Sequence, residues 1–478
     1  MNTSTYSIGE FREFQGADSK FLYLVPSGGI FQLDHLSDAI LERFRRGAAS
    51  SEQVVSDLAL QGFAAPDIAE AVQELFALRA LRDERGFTNL VQEPPADFPL
   101  QTLVMNVTNQ CNLACQYCYE FGADKVATPE GKAKFMDWET AQTSVDYLIR
   151  ESKHRKAVHI TFFGGETLMN FTLLKRVVAY AREACAERGK TIDFSLTTNA
   201  TLLSPAIIEF LAENAIGVTV SIDGPKSTND KFRVFSNGRG SYDIIAPKIC
   251  DLLARHRTRP ISARVTLTTT DIDVLNVYRH LKQDLGFYEV GFAPVTTSPD
   301  RLYSIGEGGM GKVLDQFATL AQEYLSFAMR NQHHGFSNVS DTLAELHQGI
   351  SKSHPCGAGL GLLGVSPSGD LAPCHRFVDS DTHKLGHINT GIDLARKSDF
   401  LSRGNVGNKY DCQTCWARPL CAGGCHHEAY VRYGDTGHAN LHYCDWIREW
   451  TDICLKIYGT LAEGNPRFLQ HFSERKAQ

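Results

Sequence analysis

The sequence predicts an α/β protein built around a partial (β/α)6 barrel of the TIM type, with a smaller unit on either side. Three observations carry this. From Gln101 to about Val295, short β-branched runs alternate with helical patterns, which argues for parallel strands joined by crossover helices. At 478 residues the chain exceeds the ~250–300 residues at which one hydrophobic core stops growing, so several folding units are expected. Of its 13 cysteines, most crowd into two stretches, 111–118 and 356–444.

Residues 1–95 form the first unit. Strand-like FLYLV and IFQL flank a PSGG turn, and three helical patterns follow: SDAILERFRRG, SEQVVSDLALQGF and APDIAEAVQELFALRAL. QEPPADFP reads as a linker, since adjacent prolines disfavour helix and central strand alike. Residues 96–300 carry strands at TLVMNVT, AVHITFF, DFSLTT, GVTVSI, ARVTLTT and YEVGFAP, six units rather than the eight of a full barrel. In such barrels chemistry gathers where strands end. Residues 301–350 read as a helical linker. Its GEGGMGK is expected to be a flexible turn, because it lacks the preceding strand and the Lys-Ser/Thr ending of a phosphate loop. From 351 to 478, cysteine and glycine replace periodicity, as in a unit organised by bound clusters.

A net charge of −7 with 22% charged residues gives no general attraction to nucleic acid or to anionic membrane. The start, MNTSTYSIGEFREF, lacks the basic and apolar segments of a signal peptide, and no apolar run approaches ~18 residues. A soluble, cytoplasmic protein with neither nucleic-acid nor membrane partners is expected. Clustered thiols there read as metal or cluster ligands rather than disulfides. Cys185, Cys250 and Cys454, outside the clusters, read as core thiols.

Cys111, Cys115 and Cys118 directly follow the first barrel strand, in TNQCNLACQYCYEFG. Three thiolates leave one iron of a cubane open to chelation by a substrate; a zinc knuckle missing a ligand is the other reading. The spacing, with Tyr117 before the last cysteine, resembles the radical S-adenosylmethionine (SAM) superfamily. That resemblance implies a [4Fe–4S] cluster and SAM, cleaved to methionine and a 5′-deoxyadenosyl radical. It also implies SAM-contacting roles for Gly164, Gly165 and Glu166 after the second strand, Asn199 after the third, and Ser221 and Arg233 around the fourth. The glycines allow close backbone approach, the Glu166 carboxylate accepts from the SAM ammonium, and arginine offers a fork for a carboxylate. Asp223 stays open between capping the turn before Pro225, ordering Arg233 and serving as a catalytic group on substrate.

The second group, Cys356-x12-Gly369-x4-Cys374 followed by Cys412-x2-Cys415-x5-Cys421-x3-Cys425 and Cys444, resembles the SPASM pattern of peptide-modifying radical SAM enzymes. Alone, its pairs would also suit structural zinc. The resemblance implies two auxiliary [4Fe–4S] clusters, three clusters in all. Cys412, Cys415, Cys421 and Cys444 would hold one; Cys356, Cys374 and Cys425 would hold the other. The latter has three thiolates, because the stretch where relatives carry another cysteine reads Gly357-Ala358-Gly359-Leu360-Gly361. Either a non-cysteine ligand completes it, or an iron is open to a substrate thiolate. Sulfatase-maturing members resemble an arrangement with an acidic base after the second auxiliary cysteine. Here His375 follows Cys374, which counts against formylglycine formation and makes His375 a candidate base or hydrogen-bonding neighbour.

The first unit resembles the winged-helix-like, PqqD-type peptide-recognition domain (a RiPP recognition element), which captures leader peptides by strand addition; a generic helical appendage is the plainer reading. With that start, SIDGP and CHRF, the chain resembles the maturation proteins of quinohemoprotein amine dehydrogenase over nearly its full length. The implied partners are a ribosomally made peptide or small enzyme subunit with a leader segment, and an external electron donor. The implied product is an intrapeptide thioether from Cys sulfur to the methylene carbon of Asp or Glu. Alternatives are another peptide maturase, of bacteriocin-thioether or formylglycine type, and a non-catalytic iron–sulfur scaffold that binds peptides.

Overall fold

The computed structural model describes residues 5–83, 86, 94–95, 97–128, 130–269 and 273–474. The first unit comprises β1 (Thr5–Ile8), β2 (Phe11–Gln15), β3 (Lys20–Leu24), β4 (Ile30–Gln32), α1 (His35–Arg45), β5 (Ala49–Ser50), α2 (Ser51–Ala59), α3 (Ala65–Ala77) and β6 (Leu81–Asp83). Its helices fall where periodicity put them, and its strands outnumber the two expected. β2, β3 and β4 form an antiparallel meander, while β1 lies between β5 and β6 in a second small sheet. β2 escapes a pattern search because it exposes Arg12 and Gln15 around one buried residue, Phe14. Leu22, Leu41, Val54, Ile68 and Leu75 give the unit its own core, and Phe14, Phe21 and Tyr23 pack into the main one. The expected linker QEPPADFP lies partly outside the described residues.

Next come β7 (Thr102–Asn106), α4 (Trp138–Glu151), β8 (Ala157–Phe163), α5 (Phe171–Glu187), β9 (Thr191–Thr198), α6 (Pro205–Glu213), β10 (Gly217–Ser221), α7 (Lys226–Phe232), α8 (Tyr242–Arg255), β11 (Ile261–Leu267), α9 (Val274–Arg279) and β12 (Glu289–Pro294). All six expected strands are present and run parallel in the order β7 to β12. The partial (β/α)6 barrel is therefore the fold. Its strands alternate although parallel strands buried on both faces normally read as continuous apolar runs. Val158, Ile160, Phe162, Phe194, Leu196, Val218, Val220, Ala263 and Val265 are buried in the core. The intervening residues, such as His159, Thr161, Ser195, Thr219, Ser221, Arg264 and Thr266, face the barrel interior, where His159 Nε2 and Ser195 Oγ stand 2.8 Å apart. Polar inner positions keep the barrel mouth open to a ligand instead of filling it.

The chain continues through α10 (Glu307–Ala328), α11 (Ser337–His347), β13 (Leu362–Val365), β14 (Asp370–Ala372), β15 (Gly386–His387), β16 (Gly391–Ile392), α12 (Leu394–Gly404), α13 (Arg418–Cys421), α14 (His426–Tyr433), α15 (Cys444–Gly464) and α16 (Pro466–Glu474). GEGGMGK is not a flexible turn: residues from Glu307 onward are the first turns of α10. Burial of Met310, Val313, Leu314 and Phe317 at helical spacing outweighs the ~1 kcal/mol that each glycine costs a helix. β13 adds in parallel to β7, Leu362 opposite Thr102, and β14 turns back antiparallel, so the cysteine-rich unit extends the barrel sheet. At the other edge, the Asn338 side chain of α11 donates to Phe292 O and accepts from Phe292 N, satisfying part of an otherwise open strand.

α15 ties the two flanking units together. Glu463 accepts from the backbone N–H groups of Ala17, Asp18 and Ser19, and Arg12 pairs with Asp452 while lying over the Trp416 ring. Cys185 and Cys454 are core thiols as read, but Cys250 is exposed on α8, where a thiol at the solvent-facing position interrupts no packing. No helix among the described residues is long and apolar enough to cross a membrane.

Candidate functional site

At the C-terminal ends of the strands, the barrel holds a cavity of about 510 Å³ lined by Cys111, Cys115, Cys118, Gly164, Gly165, Asn199, Ser221, Arg233 and His375. The three thiols come from one loop after β7 and carry no disulfide. Burial pushes Cys111 up to about 12 and Cys118 up to about 11, with Cys115 raising both further. Such thiols ionise only with a cation to stabilise them.

Local chemistry orients the loop. Leu113 N donates to Cys111 Sγ at 3.4 Å, and Asn199 Nδ2 donates to the same sulfur at 3.7 Å while its Oδ1 accepts from Thr201. Gly164 and Gly165 serve close approach, and what approaches is the loop itself. A Cβ on Gly164, whose φ is +132°, would lie 2.3 Å from Thr108 O, and one on Gly165 would lie 2.4 Å from Gln110 O. Gly165 N and Glu166 N donate to those carbonyls at 3.1 and 2.9 Å. Gly165→Ala is therefore expected to cost about 1–3 kcal/mol of stability and to lower the iron retained after reconstitution, checked by thermal melting and iron assay.

Glu166 and Asp223 do not line this cavity. Glu166 is buried and accepts from Leu168 N, Thr198 Oγ1 and Asn199 N at 3.0, 2.7 and 2.8 Å, bracing the ends of β8 and β9 against each other. Asp223 accepts from Thr266 N at 3.0 Å and from the Tyr117 hydroxyl, and stands 3.1 Å from Arg233 Nε. Arg233 in turn points Nη1 at Cys115 Sγ, 3.9 Å away. Of the roles open to Asp223, its contacts are those of a group ordering Arg233 and Tyr117; the N–H groups of α7 are not among its partners. His375 packs its ring on Phe163 with centroids 4.5 Å apart, and burial beside Arg376 pushes it down to about 3, which keeps it neutral.

A second cavity, of about 470 Å³, is lined by Cys356, Cys412, Cys415, Cys421, Cys425 and Cys444. Cys374 lies outside that lining. By mutual electrostatic influence the thiols form two neighbourhoods, Cys412 with Cys415, Cys421 and Cys444, and Cys374 with Cys356 and Cys425. A left-handed run at Ala422, Gly423 and Gly424 (φ +48°, +81°, +83°) reverses the chain between Cys421 and Cys425, and at Gly424 a Cβ would lie 2.4 Å from Asn440 Nδ2. Cys425 precedes α14 and Cys444 opens α15, where helix N-termini favour thiolates. Lys409 is buried with its charge near Cys412, Cys421 and Cys425, and among the described residues its ammonium makes a single hydrogen bond, to Ala422 O at 3.5 Å. A buried ammonium so poorly partnered fits anionic thiolate clusters beside it. Among the described residues no three His, Cys, Asp or Glu side chains converge on a single-ion site; cubane ligands sit on separate corners, so this donor set suits clusters better than one zinc ion.

Sequence reasoning passed over several lining residues. Tyr119 lies against His375 and His427, with Arg376 over its ring at 4.9 Å. Glu120, pushed up to about 8 by burial and Asp379, lines the barrel cavity. Arg264 and Arg376 line both cavities. A cation on the inward face of β11, between the small polar Ser262 and Thr266, was the available signal for Arg264.

Residues 105–278 match the model of the radical SAM superfamily, and the barrel is a radical SAM domain. The chain is 37% identical over 142 residues to an uncharacterized protein of Methanocaldococcus jannaschii, a match spanning 30% of this chain and 45% of that relative's length. It is 27% identical over 371 residues to a serine-type anaerobic sulfatase-maturating enzyme of Bacteroides thetaiotaomicron, covering 72% of this chain and 86% of the relative. A solved structure, native anSMEcpe with bound AdoMet and Cp18Cys peptide, shares the fold with a TM-score of 0.62 at 20% identity, covering 79% of this chain and 99% of that one.

Proposed function

We propose that this chain is a radical SAM peptide maturase that joins Cys sulfur to methylene carbons of Asp or Glu within a ribosomally made peptide, the small subunit of quinohemoprotein amine dehydrogenase being the substrate its sequence resemblance names. The observation that carries the reading is the pair of adjoining cavities, one with the three-thiol loop and one with the second cysteine group, sharing the wall of Arg264, Thr296 and Arg376. When bound, a [4Fe–4S] cluster on Cys111, Cys115 and Cys118 supplies reductive cleavage of SAM to methionine and a 5′-deoxyadenosyl radical. This chain's residues orient the loop through Asn199, order Arg233 through Asp223 and hold thiols for two auxiliary clusters. Each link breaks one C–H and one S–H bond and forms one C–S bond. SAM becomes methionine and 5′-deoxyadenosine, a proton is released, and the priming electron from an external donor is recovered.

The relatives named as sulfatase-maturating favour a second reading, oxidation of a Cys or Ser to formylglycine. His375 in place of an acid after Cys374 supports the thioether reading instead. The first unit is read as the leader-binding part: β4 is an edge of its meander and exposes Phe31, a surface to which an extended peptide can add. Free thiols throughout suit a reducing compartment such as the cytoplasm. Incubation of the reduced enzyme and SAM with Cys- and Asp/Glu-containing peptides is expected to remove two hydrogens per link and block thiol alkylation. An aldehyde at Cys or Ser would establish the second reading, and no 5′-deoxyadenosine at all would leave only a scaffold.

A further inference from the structure

Arg264 stands in the middle of β11, beside Ser221 of β10 in the strand register and beside Gly291 of β12. Alternation along β11 buries Ala263 and Val265 in the core and turns Arg264 into the barrel. The side chain keeps contact with solvent through the open cavity, while the protein around it lowers its basicity, so an anion that closes over it would be favoured. Among the described residues no hydrogen bond or ion pair reaches its guanidinium, and the carboxylate that weighs on its charge, Asp341 of α11, counts for less than the like charge of Arg376. Its guanidinium lies alongside the β12 backbone: a Cβ on Gly291 would be in ordinary contact with Arg264 Nη1 at 3.6 Å, while the tight neighbour there is Ser337 Oγ at 2.6 Å.

Its position is as telling as its lack of a partner. Arg264 and Arg376 line both cavities, whereas Arg233 lines only the barrel cavity. Arg376 donates to Thr296, Thr296 donates to Glu428, and Glu428 also meets Arg432 and His442. The Glu428 carboxylate, on the Arg376 side, is thus already committed. Arg264 faces open volume with a second guanidinium close enough to weigh against its charge, and an arriving carboxylate would relieve both.

We propose that Arg264, with Arg376 beside it, anchors a substrate carboxylate, holding an Asp or Glu side chain at the boundary between the two cavities. This rests on the thioether reading. A link between carbon and sulfur needs the carbon near the radical source and the sulfur near an auxiliary cluster, and the shared wall is where both conditions meet. Fixing the carboxylate fixes which methylene is presented, which matters because a radical takes hydrogen from whichever carbon is nearest. SAM also has a carboxylate, but Arg233 already points at Cys115 at that end of the cavity.

The test uses the reconstituted full chain and fluorescein-labelled synthetic peptides carrying one Cys and one Asp at several spacings, each with an Asp→Asn twin. The wild type is expected to bind Asp peptides about tenfold more tightly than their twins, Arg264→Gln to lose that preference, and Arg264→Lys to keep part of it. Equilibrium dialysis with SAM separates the two carboxylate sources. SAM affinity within about twofold of wild type in Arg264→Gln is expected; a tenfold loss with the Asp preference intact would assign Arg264 to SAM and overturn the proposal. Absence of binding by any pair, no Asp preference in the wild type, or a preference that survives Arg264→Gln would overturn it too. Conversion is read separately. An Arg264-dependent Asp preference without loss of two hydrogens leaves the anchor standing and sinks the thioether reading, whereas conversion without that preference does the reverse.

Discussion

Cys115→Ala is expected to bring 5′-deoxyadenosine formation by the reduced protein to the uncatalysed level, a loss of more than about a thousandfold. Two thiolates cannot hold a cubane with one iron left for chelation, so the whole of the radical chemistry depends on the third. Cys115 is also the thiol toward which Arg233 points, at 3.9 Å. Cys250→Ala is the control, since that thiol is exposed on α8 and stands far along the chain from either cysteine group. It should leave the rate unchanged. High-performance liquid chromatography of reaction mixtures with SAM and dithionite checks both. Full SAM cleavage by Cys115→Ala would mean the loop does not hold the cluster.

The second large effect concerns Asp223. Its carboxylate is buried, accepts from Thr266 N and Tyr117, and faces the equally buried Arg233 guanidinium at 3.1 Å. Removing one partner of a buried pair leaves an uncompensated charge, at a cost of about 3–5 kcal/mol, more than the pair itself contributes. Asp223→Ala should therefore lower the denaturation midpoint sharply and weaken SAM binding by at least about tenfold, because Arg233 loses its orientation. The double variant Asp223→Ala/Arg233→Met should recover much of the stability and none of the SAM affinity. Recovery of both would reduce the pair to a structural element.

Much of this arrangement is legible in the chain because it is local. Each βα unit announces itself by a short apolar run and a helical repeat, and the glycines, cysteines and polar residues that end the strands sit within a few positions of them. What escaped is long-range. Nothing near Leu362 reveals that β13 will pair with β7, some 260 residues earlier in register with Thr102. β5 and β6 are too short to carry a period and exist only because β1 lies between them. GEGGMGK looks like a turn by propensity and becomes helix because Met310, Val313, Leu314 and Phe317 are buried at helical spacing. Glu166 and Asp223 invite ligand-facing roles from their motifs, and only the fold shows that their oxygens already accept from neighbouring strands. Arg264 is the converse, a residue with no motif whose significance comes from standing between two cavities.

The most direct measurement of the central claim is the fate of a methylene hydrogen. A Cys-containing peptide is prepared with deuterium on the side-chain carbons of its Asp or Glu residues, and incubated with reduced enzyme and SAM. The account predicts that 5′-deoxyadenosine gains one deuterium while the peptide loses that deuterium and one thiol hydrogen. Deuterium absent from 5′-deoxyadenosine formed alongside crosslinked or aldehyde-bearing peptide would contradict it, because the hydrogen would then have come from another carbon.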